Sequence, residues 1–417
     1  MLLARAPAMT ATRLAIALSL AAVLALGAYS LGGFGCGGGG STHSSTDPTT
    51  GDASVPDAAV GADAAMGPAW EAVVASSLPY PDSFSSPTTF RVPFTTVRSG
   101  SRVEVTLWGQ SAGMTVTSAW IGQWMGDGTV EGNAQLYFGG KPGVDVAPNA
   151  FATSDPLGFS TVSGKRYAVS FAATGTVPGA LSDIGGEGLQ APGDLAGSAM
   201  LSGTADPAFR GIKWVAVLGP PTTRAVAVLG DSIGAGEASW GVDLRFVDLA
   251  QKALGYPVVD ASEGGDGVER AQQRISQDVL PLPGITDCLV EIGTNDLHAP
   301  RDARFVIDGL TAIYKALAQA GLHPWGATIL PKGIDPSTGR PHLPPEFEAA
   351  RVQVNDFIKA TSLVVGHVDF AAAIADPADP SKPAEGMLAS DGIHPANAGH
   401  QAMADAMVKA FKAAQSQ

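Results

Sequence analysis

The sequence predicts two architectures in one chain: an all-β sandwich over residues 68–220, then an α/β domain with a parallel sheet covered by helices on both faces over residues 221–417. Three observations carry that expectation. Short β-rich runs broken by Gly, Pro, Asn and Asp fill the first region, with no helix-period segment between them. At about residue 221 the pattern changes to short apolar strands alternating with amphipathic helices, at a repeat of roughly 30–40 residues. Residues 1–67 show neither pattern.

The N-terminus reads as an export signal over residues 1–36. Arg5 and Arg13 precede the apolar run "LAIALSLAAVLALGAYSLGG", which ends in small residues. "GFGC" resembles a bacterial lipobox in part: Gly35 suits the position before Cys36, whereas Gly33 stands where a Leu-like residue is usual. Lipidation of Cys36 with membrane attachment, ordinary cleavage and an uncleaved anchor are the three endings, and each places the remainder outside the cytoplasm. Residues 37–67 are Gly, Ser, Thr, Pro, Asp and Ala, too poor in apolar side chains to bury a core, and read as a tether.

The composition agrees with an exported protein. Of 417 residues, 45% are hydrophobic and only 15% charged, with 52 glycines. A net charge of −14 without a Lys/Arg cluster argues against nucleic acid as a partner. The 2 cysteines, Cys36 and Cys288, sit in unlike settings and cannot build a disulfide framework or a metal site. Cys288, within "DCLVEIG", reads as a small buried hydrophobe.

In the β region the strands are "TTFRVPFTTV", "SRVEVTLW", "MTVTSAWIGQW", "AQLYFGG", "KRYAVSFAA" and "IKWVAVLG". Between the second and third lies Gly109-Gln110-Ser111-Ala112-Gly113, which spells the G-x-S-x-G of a nucleophile elbow. An elbow needs a helix after the serine, and "MTVTSAWI" alternates like a strand. The five residues are therefore expected to form a hairpin turn, with Ser111 inert.

In the second region "RAVAVLG", "PVVD", "DCLVEIG", "HPWGATILP" and "GHVDF" read as parallel strands. The helices include "VDLRFVDLAQKALG", "ARFVIDGLTAIYKALAQAG", "EFEAARVQVNDFIKATS" and "AGHQAMADAMVKAFKAA". Ligands of such sheets bind beyond the carboxyl ends of the strands, so a functional residue should directly follow one. Three stretches pass: "GDSIGAG" with Ser232, "EIGTNDL" with Asn295, and "ASDGIHPANAGH" with Asp391 and His394. "GDSIGAG" lacks the Lys-Ser/Thr of a phosphate loop and the G-x-G-x-x-G of a dinucleotide site.

Taken together these blocks resemble SGNH/GDSL-type serine hydrolases: Gly230-Asp231-Ser232-Ile233 the first, Gly293-Thr294-Asn295-Asp296 the third, Asp391-Gly392-Ile393-His394-Pro395 the last. The resemblance spans residues 224–410 in block order and spacing. It departs at Ile233, where Leu is usual, and at Asp260 in "VVDASEGGDGV", where Asn is common. It implies a flavodoxin-like three-layer α/β/α sheet, and the upstream β region looks like the jelly-roll domain of some secreted members. It further implies a triad of Ser232, Asp391 and His394. The oxyanion hole would comprise the N–H of Ser232, the N–H of Gly265 (with Gly264 the second choice) and the amide of Asn295. No cofactor is implied.

The residue types suit that chemistry. A serine hydroxyl needs a base, and imidazole titrates near neutrality. Asp391, three residues before His394, can accept from Nδ1 and leave Nε2 facing Ser232. Asp231 reads as structural, and His298 and His400 as bystanders. The expected function is an exported serine esterase acting on short acyl esters, such as acetyl on carbohydrate. The alternatives are a lipase or lysophospholipase, and a surface glycan-binding protein without catalysis. The loop at residues 331–345 is expected to give the site a polar rim through Lys332, Arg340 and His342, and the β region to act in polymer docking and not in the chemistry. The oligomeric state is left open.

Overall fold

Alternating apolar residues in the β region build two antiparallel sheets facing one another. The computed structural model describes residues 67–180, 187–299 and 301–415; the predicted export segment, Cys36 and nearly all of the tether lie outside them. The first sheet orders strands β1 (Ala69–Ala75), β13 (Ile212–Gly219), β3 (Gly100–Trp108) and β7 (Phe151–Thr153), with β8 (Leu157–Thr161) also on β3. The second contains β11 (Thr204–Ala205), β10 (Leu189–Pro192), β2 (Tyr80–Thr95), β9 (Arg166–Ala180), β4 (Met114–Gly126) and β5 (Thr129–Leu136). To it β12 (Phe209–Arg210) and β6 (Val144–Val146) add at β9 and β4. Val103, Val105, Leu107, Val215 and Val217 from one sheet meet Phe90, Val92, Val116, Ile121 and Phe171 from the other in a common core.

One expectation is corrected here. Strands β3 and β4 lie in different sheets and do not pair, so Gly109–Gly113 is an arch between layers and not a hairpin turn. Alternation shows that a strand has one buried face and is silent about its neighbour. Both faces here are buried in the same core, which an arch satisfies as well as a hairpin. Ser111 is exposed in the arch.

The parallel sheet follows. Strands β14 (Val226–Gly230), β15 (Val258–Asp260), β16 (Asp287–Glu291), β17 (His323–Ala327) and β18 (Gly366–Val368) take the order β15-β14-β16-β17-β18. That doubly wound order places a topological switch point beside β14. Helix α1 (Ser232–Ala235) leaves β14 directly. Helices α3 (Val268–Asp278), α5 (Ala303–Gln319) and α6 (Pro345–Ala360) bury one face of the sheet, and α2 (Phe246–Leu254), α7 (Phe370–Ile374) and α8 (Asn397–Gln415) the other. A short α4 (Thr294–His298) follows β16. Cys288 is fully buried on β16.

The two regions share a core. Ala72, Ala75, Trp214 and Ala216 turn from β1 and β13 away from the sandwich interior, into the cluster formed by Ala227, Leu229, Val259 and Val268. Strand β13 is therefore buried on both faces, which accounts for its nearly continuous apolar run. Its one charged residue, Lys213, donates from Nζ to Asp278 Oδ1 of α3 at 2.5 Å, and both side chains are only 1% exposed. Burial disfavours the charged amine and pulls its pKa down, and Asp278 opposes that shift.

Removing one partner of a buried pair strands the other charge, at about 3–5 kcal/mol. Asp278→Leu should lower stability by that amount in urea denaturation. Tryptophan fluorescence, which reports mainly the sandwich, and far-UV circular dichroism, which reports the helices, should shift together because the core is shared. A shift in only one of them would contradict a common cooperative unit.

Candidate active site

The apolar strand β14 carries the chain to the surface and stops at Gly230, whose carbonyl accepts from Glu263 N at 3.0 Å and from Arg274 Nη2 at 2.9 Å. Asp231 then caps α1, its Oδ1 accepting from Ile233 N at 2.9 Å. The strand-to-helix turn presents Ser232, which is 8% exposed. A side chain at Gly230 would run into Ser262 Oγ and the Glu291 carboxyl.

From the opposite end of the chain, the turn before α8 brings His394 to this serine. Ser232 Oγ and His394 Nε2 are 2.8 Å apart, and His394 Nδ1 and Asp391 Oδ2 are 2.7 Å apart. Asp391 Oδ1 also accepts from Ile393 N at 2.8 Å and His394 N at 3.0 Å. Partial burial would raise the Asp391 pKa, but these three donors outweigh it and hold it at about 2. Asp391 is thus a carboxylate that accepts Nδ1–H, which leaves the Nε2 lone pair toward the serine hydroxyl.

Burial also opposes charging of His394. Asp391 and Glu237 prevail, and the imidazole pKa stands above 6.5. Glu237 Oε2 lies 3.4 Å from His394 Nε2 on the open side of the serine. No motif pointed to Glu237; it lies five residues beyond Ser232, just past the short α1.

The second block forms a turn in which Asp266 N donates to Glu263 O at 3.2 Å and Gly265 takes φ 78°. A positive φ at the third residue is a type II turn, which suits glycine there. Gly264 faces the serine: a Cβ on it would be 3.9 Å from Ser232 Cβ. Asn295 Nδ2 donates to Asp266 O at 2.8 Å and reaches Asp231 Oδ2 at 3.3 Å, so the third block is tied to both others. Its neighbour Asp296 caps α3 by accepting from Val268 N at 3.0 Å. Asp260 is buried against Arg245 Nη1 at 3.2 Å and Ser262 N at 2.8 Å, which compensates the carboxylate at that position.

Beneath the serine lie Asp231, Glu291 and Lys332, all buried. Burial raises the pKa of both acids, most strongly Glu291, and lowers that of Lys332, while Lys332 and the two acids offset one another. Lys332 is therefore not part of a polar rim, because its amine points inward to Ile393 O at 3.4 Å. The 331–345 loop does border the site. Gly333 N donates to Gly392 O at 2.8 Å, and His342 Nε2 lies 2.6 Å from Asp391 O. Arg340 remains exposed. His400 packs on Phe246, its Nδ1 accepting from Phe246 N at 3.3 Å, and His298 packs at a tilt against His342 with its pKa lowered to about 4 by burial. Among the described residues no group of three or more His, Cys, Asp or Glu side chains is placed to hold a metal ion.

The sandwich also reaches the serine. Pro79, Tyr80 and Ala180 line the small cavity beside Ser232 together with Ala235, Glu237 and Gly264. No sequence feature pointed to Tyr80, since the contact arises only when two regions of the chain pack.

Comparison with known proteins places this half of the chain. No curated protein matches it. Solved structures similar to it include a lipase/acylhydrolase from Enterococcus faecalis (20% identity, 45% of this chain and 94% of that one, TM-score 0.38). Others are a GDSL-like lipase from Bacteroides thetaiotaomicron (16%, 48% and 92%, 0.38) and the psychrotrophic esterase EstA from Pseudoalteromonas sp. (20%, 46% and 100%, 0.35). Residues 228–402 match the GDSL-like Lipase/Acylhydrolase family, a span that takes in the serine, glycine, asparagine and histidine blocks. Residues 228–402 are thus a GDSL-like lipase/acylhydrolase domain, a class of carboxylic ester hydrolase domains.

Proposed function

We propose that the protein is an exported serine esterase that removes short acyl groups, acetyl above all, from a hydroxyl-bearing substrate such as a carbohydrate. The observation that carries the reading is the relay Asp391–His394–Ser232, with separations of 2.7 and 2.8 Å. The Ser232 hydroxyl gives its proton to His394 Nε2 as Oγ bonds to the ester carbon. The resulting oxyanion is met by the N–H groups of Ser232 and Gly265 and by the Asn295 amide, whose second hydrogen makes only the long contact with Asp231. The C–O bond to the alcohol breaks, and His394 returns the proton to that oxygen. A water molecule, deprotonated by His394, then releases the acid and restores Ser232.

Three features support a short acyl group on a hydrophilic alcohol. The cavity beside Ser232 is small. Glu237 puts a carboxylate at the mouth, which suits hydroxyl donors and repels anionic headgroups. Trp240, exposed at 59%, has its backbone N–H and carbonyl anchored beside the histidine turn by Asn397 through hydrogen bonds of 2.8 and 2.9 Å, and an indole suits a sugar ring. Export rests on the apolar N-terminal run.

Ser232→Ala should abolish both ester hydrolysis and labelling by a fluorophosphonate, and Ser111→Ala should leave both near wild type. The reverse pattern would refute the assignment. Asn295→Ala should lower kcat by about 10²–10³-fold with little change in KM; a loss under about threefold would remove it from the oxyanion hole.

The acid limb of the kcat/KM profile reports His394, which must be neutral to act as base. Because the Glu237 carboxylate stabilises the imidazolium, Glu237→Gln should move that limb to lower pH. An unmoved or upward-shifted limb would show that Glu237 does not act on the base.

A further inference from the structure

Ser232 shares its cavity with a side chain from the other domain, and that side chain is rigidly held. The segment Ser76–Tyr80 links β1 to β2. Ser76 N donates to Lys213 O at 3.0 Å, and Ser77 Oγ donates across the domain boundary to Ser262 O at 2.8 Å. Leu78, fully buried, is held at φ 58°, a left-handed conformation that is strained for a non-glycine residue and persists only where the surroundings enforce it. Gln110, in the arch that spells G-x-S-x-G, donates from Nε2 to Pro79 O at 3.2 Å. Tyr80 then enters the sheet opposite Gly179 of β9, next to Ala180. Its hydroxyl lies 2.7 Å from the point where a Gly264 Cβ would stand, so it fills the space that the missing side chain leaves.

The consequence is dimensional. The space lined by Tyr80, Pro79, Ala180, Ala235, Glu237 and Gly264 beside Ser232 has a volume of about 10 Å³. That is about one water-sized sphere, which leaves room for only the smallest acyl substituent. An ester attacked by Ser232 has two ends. The alcohol must leave toward His394 Nε2 and solvent, and a sugar does not fit a space of this size. The acyl substituent is the end that the cavity can hold.

We propose that Tyr80 of the β sandwich is a specificity-determining residue of the esterase site, its ring closing the acyl space to acetyl, and that Gln110 positions it through the Pro79 carbonyl. The proposal rests on Ser232 being the nucleophile. Burial and the neighbouring Glu237 raise the phenol pKa, so the side chain stays neutral across the working range. The sandwich then contributes a wall to the site.

The test is the chain-length profile of kcat/KM on p-nitrophenyl acetate, butyrate and octanoate, measured with the full chain. Wild type should favour acetate over butyrate by tenfold or more. Tyr80→Ala and Tyr80→Val should each raise the butyrate-to-acetate ratio at least tenfold and keep acetate turnover within about tenfold, and Tyr80→Phe should keep the wild-type ratio because the ring is retained. Gln110→Ala should move the ratio the same way by a smaller factor. An unchanged ratio in either small variant, with an unchanged melting temperature, overturns the proposal. So does a Tyr80→Phe profile matching Tyr80→Ala, which would assign the effect to the hydroxyl. So does a widening confined to the alcohol, read from acetate esters of methanol, butanol and octanol. Failure of the underlying reading looks different: Ser232→Ala would retain activity, or the wild type would escape fluorophosphonate labelling.

Discussion

The guanidinium of Arg274 is the contact on which the site depends. Only 7% exposed, it donates from Nη2 to Gly230 O at 2.9 Å and from Nη1 to Ala261 O at 2.5 Å, so it holds the ends of β14 and β15 together. Nε donates to Asp266 at 2.5 Å, at the end of the glycine turn, and Nη1 to Asp278 at 2.9 Å. A further 3.3 Å contact reaches Ser77 of the sandwich. A planar donor fork, always charged, is suited to bind carbonyls and carboxylates in several fixed directions at once. The serine turn and the glycine turn are thereby set relative to each other by one side chain.

Burying that charge requires compensation, and the surrounding acids provide it. Asp266 and Asp278 face Arg274, and Asp278 also meets Lys213. The network crosses from α3 to β13, so the electrostatics that hold the glycine turn also hold the sandwich to the hydrolase domain. This joint carries Ser77, and through it Tyr80, to the serine. A second ion pair works at the linker: Glu71 of β1 accepts from Thr222 N and Oγ1, both at 2.8 Å, and pairs with Arg98. The domain boundary is thus built as a packed and hydrogen-bonded interface.

Above this scaffold the proposed catalytic groups divide by chain distance. Ser232, Gly265 and Asn295 follow β14, β15 and β16, which are neighbours in the sheet, and hydrogen bonds through Asp266 and Asp231 lock their loops together. Asp391 and His394 arrive on a separate turn, fastened by Gly333, His342 and Lys332 from the loop after β17. A loop near an active site is thus partly structural support, and only its exposed residues remain for substrate.

The sequence by itself determined what depends on local pattern: the change of grammar near residue 221, the parallel strands, four long helices, and the blocks that end in Ser232, Asn295 and His394. These are legible because strand period, helix period and the strand-end position of functional residues are properties of contiguous residues. Helix α3 is not legible in the sequence although Val268, Ala271 and Ile275 recur at helical spacing, because so many of its other residues are polar or charged. Tertiary structure alone decided which strands pair, hence the arch where a hairpin was expected. It alone decided that Lys332 points inward, that Arg274 joins five groups, and that Tyr80 and Gln110 reach the active-site region. Each of these depends on residues distant in sequence meeting across a packed interface, and neither periodicity nor motif spacing encodes which faces meet.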